Sequence, residues 1–171
     1  VRRGWFILLL AVSLIGVGCA EPPPLEFVST QDKFRVRFGS VPKISEKKAS
    51  GLKTTVYAHK SAEGALSVTV REMPIPDDDP PDRVPLYLAQ VRDDMIRTAH
   101  GTAISDSSTT LAGKYPGRIF AARLGGDQLG LMRVRIYLVG KLLYQVMAIG
   151  TEDYVNSPAA TTFLESFMVT E

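Results

Sequence analysis

The chain is short of the residues that carry most redox, metal and nucleophilic chemistry. Its 171 residues include one cysteine, two histidines and one tryptophan. A lone thiol excludes an internal disulfide and any CxxC redox or zinc motif. His59 and His100 belong to no H-x-x-H or H-E-x-x-H pattern, so no ligand spacing joins them to a carboxylate. One reads as solvated late in a strand, the other as capping a helix end. Charge of one sign is also lacking. Two of the 20 basic residues, Arg2 and Arg3, precede the first apolar run, which leaves 18 against 18 acidic residues. Such neutrality gives no footing for a nucleic-acid or polybasic membrane-binding surface. There is no internal repeat. The longest apolar run, residues 5–17, is shorter than the roughly 20 residues that span a bilayer.

What the N-terminus does have is the anatomy of a secretory signal. Arg2 and Arg3 form a positive n-region, "WFILLLAVSLIGV" an apolar h-region, and Gly16, Val17 and Gly18 lead with slender side chains into Cys19. "GVGC" resembles the lipobox of bacterial lipoproteins, with Gly16 where that pattern usually has Leu. The resemblance implies cleavage before Cys19, acylation of Cys19, and a chain anchored to the bacterial cell envelope, facing outside the cytoplasm. Ala20 in place of an aspartate retention signal implies the outer membrane where there is one. The expected organisation is a signal peptide over 1–18, a lipidated and proline-rich tether over 19–26, and a single domain over 27–171. Three consecutive prolines, 22–24, favour a polyproline II spacer of about 3.1 Å per residue, holding the domain roughly 20 Å from the membrane.

Beyond the tether the hydrophobic period is two. "KFRVRF" places Phe34, Val36 and Phe38 on one face and Lys33, Arg35 and Arg37 on the other, and "FVST" pairs with it across "QD". "LKTTVYAHK" and "ALSVTVREM" read as a hairpin about "SAEG". "PIPDDDPPD" can enter neither a helix interior nor a central strand. It leads to a helix with Asp82 as cap and Val84, Leu88, Val91 and Met95 on its apolar stripe. An Asp93–Arg97 pair sits on that helix, and Gly101 is its stop. Strands return at "AISDSSTTL", "RIFAARL", "LMRVRIYLV" and "LLYQVMAI", with turns at "AGKYPG" and "GGDQ". Gly140-Lys141 suits a type II′ hairpin that sets Tyr137 opposite Tyr144 and Arg135 opposite Val146. Val134, Ile136, Leu138, Leu143, Met147 and Ile149 then share the other face as core. A last helix opens with Ser157 as cap and Pro158 in its first turn, with Phe163, Leu164 and Phe167 inward.

Strands, a helix, four strands and a helix make an α+β chain: an antiparallel sheet with two main helices packed on it. The "DKFRVRF" strand, the "RIYLVGKLLYQV" hairpin and "SPAATTFLESFMV" are similar to the PsbP-like fold family, which includes DcrB-like bacterial lipoproteins. The resemblance implies an α/β/α sandwich and a non-catalytic, membrane-tethered accessory domain.

Motif by motif, chemistry is scarce. "DDDPPD" clusters Asp77, Asp78, Asp79 and Asp82 but lacks the alternating spacing that wraps a loop around calcium. Ser40 and Lys43 have S-x-x-K spacing, which needs one helical turn and instead contains Pro42. "GGDQLG" is followed by a strand, so it is no phosphate loop. No catalytic residue, metal ligand or cofactor motif emerges. The remaining candidates are Cys19 for lipidation and, for a protein partner, the hairpin face of Arg133, Arg135, Tyr137 and Tyr144. The expected function is a tethered, protein-binding accessory module. The alternative is a carrier or sensor of a small ligand or calcium, with its pocket between the sheet and the "PIPDDDPPD" loop.

Overall fold

Period-two segments become strands in the computed structural model, which describes residues 25–49, 51–125 and 130–170. The first pair, β1 (Glu26–Ser29) and β2 (Phe34–Arg37), is antiparallel across the expected turn. Seven further strands form one antiparallel sheet: β3 (Lys43–Ala49), β4 (Leu52–Lys60), β5 (Gly64–Glu72), β6 (Thr102–Leu111), β7 (Tyr115–Leu124), β8 (Gly130–Val139) and β9 (Leu142–Gly150). Their spatial order is β3-β4-β5-β9-β8-β7-β6. Three helices, α1 (Val84–Thr98), α2 (Glu152–Val155) and α3 (Pro158–Glu165), pack on it, and β10 (Met168–Val169) returns to pair with β2. The architecture is α+β, as the patterns indicate.

Each face of the large sheet buries a separate core. On one, the alternate residues Phe120, Met132, Val134, Ile136, Leu138 and Leu143 meet Leu88 and Val91 of α1. On the other, Tyr57, Val68, Val70, Tyr137, Tyr144 and Val146 pack against α2, α3 and the small β1-β2-β10 sheet. The hairpin register is as expected, Tyr137 opposite Tyr144 and Arg135 opposite Val146. Gly140 takes φ +59° at the first turn position while Lys141 stays at negative φ, as a type II′ turn requires. The Ser157 hydroxyl caps α3 by accepting from the Ala160 amide at 3.2 Å, and Phe163, Leu164 and Phe167 face inward.

Four local expectations are corrected. Asp82 lies in a short 3-10 turn, Pro81–Arg83, that runs into α1 without any side-chain cap. Arg97 pairs with Asp94 one residue nearer, and Asp93 meets Arg92. The left-handed residue that closes α1 is His100 at φ +48°; the amides of His100 and Gly101 donate to the carbonyls of Arg97 and Ile96. Met147 and Ile149 are only partly buried, because α1 lies over β7 and β8 rather than over β9. Among the described residues no helix is long and apolar enough to cross a membrane. Cys19 and all of the "GGDQ" turn but its first glycine, Gly125, lie outside the described residues.

Candidate binding groove

The hairpin face chosen for a partner is not an open surface. Tyr137 and Tyr144 are 3% and 1% exposed. The Tyr137 ring stacks on Phe167 with planes 2° apart, and Tyr144 packs against Phe34 and Phe167. The two arginines on the same strand bridge to the helices above. Arg133 Nη1 donates to the Val155 carbonyl at 3.3 Å and to Thr161 Oγ1 at 3.1 Å, while Arg135 Nη2 reaches Glu165 Oε1 at 3.4 Å. The physical reason is coverage. On that face α2, α3 and β10 close over the hairpin, so its tyrosines serve as core and its arginine stems line the helix–sheet seam.

Other candidates are drawn into structural pairs. Ser40 Oγ lies 2.6 Å from His59 Nδ1, a hydroxyl–imidazole contact between residues distant in sequence that spacing could not reveal. Nucleophilic use would need an acid orienting the other ring nitrogen. Among the described residues His59 has no such partner, and the contact ties the loop after β2 to β4. In the acidic loop Asp77 binds Lys141 at 2.6 Å and Asp79 meets Arg83 at 3.4 Å. Among the described residues no group of three acidic, histidine or cysteine side chains is arranged to hold a metal.

The open feature lies on the opposite face. Because α1 sits over β7 and β8, the same face of β4, β5 and β9 is left partly uncovered, and a groove runs between it and the helix. One half, about 410 Å³, lies where the chain leaves β5 through Met73, Pro74 and Ile75; Thr54, Arg71 and Gln90 also line it. The other, about 440 Å³, is lined by Met95, Met132, Met147, Ile149 and Gln145. Arg71, Val91 and Asp94 border both halves, so the two adjoin at these residues. Volumes of this size suit a small organic ligand. The sequence carried one signal for this site: Arg71 continues the Ser67, Thr69 alternation of a strand that proves to be interior, a position where a lone charge is unusual.

Helix α1 is held beside the groove from its far side. Arg118 grips Asp106 through two bonds of 2.6 and 2.7 Å, and Arg92 of α1 reaches the same carboxylate. The hydrogen bonds from Arg118, aided by the positive charges of Arg118 and Arg92, keep the Asp106 carboxyl below its ordinary range.

No family model matches the sequence, and no curated protein matches it. Among solved structures the chain is similar to the solution structure of cyanobacterial PsbP (CyanoP) from Synechocystis sp. PCC 6803. The TM-score is 0.62 over 89% of this chain and 95% of that one, at 15% sequence identity. Helix α1 on one face of the antiparallel sheet and α2 and α3 on the other thus make up a PsbP-like α+β fold.

Proposed function

We propose that this protein is a lipid-anchored, extracytoplasmic lipoprotein whose folded domain is a non-catalytic binding module, with the groove beside α1 as a small-ligand site. The observation that carries the reading is the partly apolar groove, two adjoining cavities beside α1, that begins at the end of β5, where the proline- and aspartate-rich loop leaves the sheet. Its lining mixes methionine and valine with a few convergent polar groups, the composition of ligand pockets rather than of a flat partner surface. The hairpin tyrosines, which would have favoured a protein partner, are buried. Lipidation at Cys19 supplies the envelope location.

A ligand that binds only the folded state raises the unfolding midpoint. A screen of water-soluble metabolites against the full chain is therefore expected to yield at least one that raises it by about 2–4 °C. That rise should vanish in a chain carrying both Gln145→Trp and Thr54→Trp, which fill the two halves from β9 and β4. If no compound raises the midpoint, or the rise survives in the filled variant, the groove is not the binding site.

A protein partner is favoured by a separate observation, at the sheet edge. β6 ends the sheet with ten exposed or half-exposed residues and carries no lysine, arginine or proline, whereas the other edge, β3, carries three lysines. Beyond the bulge between Ala103 and Ser105 the edge carries no such guard, and an edge of this kind is a template for an added strand. A photo-reactive residue at Ser107 that captures one protein reproducibly in cells would support this second reading.

A further inference from the structure

Resting on the groove reading, the ligand's chemistry follows from Arg71. β5 is the third of seven strands, and Arg71 lies between Thr54 of β4 and Leu143 of β9. A charge held against a sheet interior is costly unless a counter-charge or hydrogen bonds accompany it. Yet Arg71 Nε is shut off from solvent with no hydrogen-bond partner. Two carboxylates share its cavity, and neither pairs with it: Asp94 is bonded to Arg97, and Glu72 is solvent-exposed. The guanidinium therefore stands at the junction of the two halves with its donors uncommitted among the described residues. On one side of it are Thr54 and Gln90; on the other lie Met95, Met132, Met147 and Ile149.

We propose that the groove binds an amphipathic carboxylate, an unbranched acyl chain ending in one carboxylate, with Arg71 as its anchor. A guanidinium fork matches a carboxylate in two parallel bonds. Methionine side chains are flexible and polarisable, so they mould around an unbranched chain. With Asp94 neutralised by Arg97, the single charge of Arg71 balances a monoanion, whereas a doubly charged phosphate would keep one charge unpaired near Glu72. The carboxylate would complete Arg71 while the chain covers the partly exposed Met147 and Ile149.

The methionines also provide the test. The chain has five, at 73, 95, 132, 147 and 168. Four line the groove, and Met168 of β10 lies against Arg35 on the other side of the molecule. In the full chain, placed in neutral-lipid nanodiscs with ¹³C-labelled methionine methyls, octanoate should shift Met95, Met132 and Met147 saturably and leave Met168 unmoved. Octanamide, of the same shape without the charge, should bind at least roughly tenfold more weakly. Arg71→Gln should bring octanoate to the level of octanamide. Equal binding of octanoate and octanamide by the unmodified chain overturns the carboxylate assignment and leaves the groove in place. So does undiminished octanoate binding by an Arg71→Gln chain whose five methyl signals stay dispersed. If neither compound moves the three groove methyls, the groove reading falls as well.

Discussion

Single residues decide how the segments lock together. Tyr57 Oη donates to Asp32 Oδ2 at 2.7 Å and lies 2.8 Å from Ser29 Oγ, while the Asp32 amide donates to that same serine oxygen at 3.1 Å. With the phenol proton committed to the carboxylate, Ser29 must be the donor to Tyr57, and the three groups close a ring. Tyr144 donates to the Asp32 carbonyl at 2.9 Å, so two tyrosines of the large sheet hold one turn of the small one. Burial pushes both phenols up to about 12, and they stay protonated donors at any physiological pH. His100 is a less favourable choice. It fills the left-handed position that closes α1, where a side chain costs energy and glycine does not. His100→Gly should stabilise the fold by about 0.5–1 kcal/mol, read as a higher urea midpoint at unchanged slope. A lowered midpoint would show that the exposed imidazole makes up for its backbone.

At the scale of elements, one carboxylate sets where the helix sits. Asp106 on β6 holds Arg118 of β7 and Arg92 of α1 together, so α1 is clamped towards the β6 end of the sheet. The groove is the space that this placement leaves over β4, β5 and β9. Asp106→Asn should cost about 1–2 kcal/mol, the worth of a hydrogen-bonded charge pair. The sign of the pH dependence follows from the depressed carboxyl. Its stabilisation is present above the unfolded-state value near 3.8 and is lost as pH falls through the lower folded value. Acid titration of thermal stability should therefore fall below pH 4 more steeply in the parent than in Asp106→Asn, and parallel curves would contradict the clamp.

Local pattern carried most of this element order. Phe34, Val36 and Phe38 alternate cleanly because one side of β2 meets the core, and the hairpin of β8 and β9 is legible because a two-residue connection needs a positive φ that Gly140 supplies without strain. β3 was not legible: "KISEKKA" lies at an exposed edge, held by backbone pairing and by exposed contacts of Glu46 with Lys53 and Gln31, so burial imposes little alternation on it. β10, two residues long, owes its pairing to the return of the chain after α3. Pattern also misassigned the hairpin tyrosines. Period two separates two faces of a strand, but it does not say that both will be covered. The groove was foreseen only by neighbourhood, beside the "PIPDDDPPD" loop, because its form depends on where α1 is anchored in space.

For the molecule as a whole, anchor and groove are expected to work independently. β1 begins at Glu26 within the small sheet, on the α2 and α3 side of the large sheet, while the groove opens on the α1 side. The point where the chain enters the domain and the mouth of the groove are thus on opposite faces. A lipid on Cys19 followed by a stiff tether of roughly 20 Å would leave the groove clear of its own anchor. Cys19→Ala should therefore abolish metabolic labelling by a palmitate analogue and leave octanoate-induced stabilisation of the domain within error of the parent. A labelled variant would refute the acylation of Cys19. A variant that loses both label and octanoate response would tie the anchor to the groove, and the opposition of the two faces could no longer be read as independence.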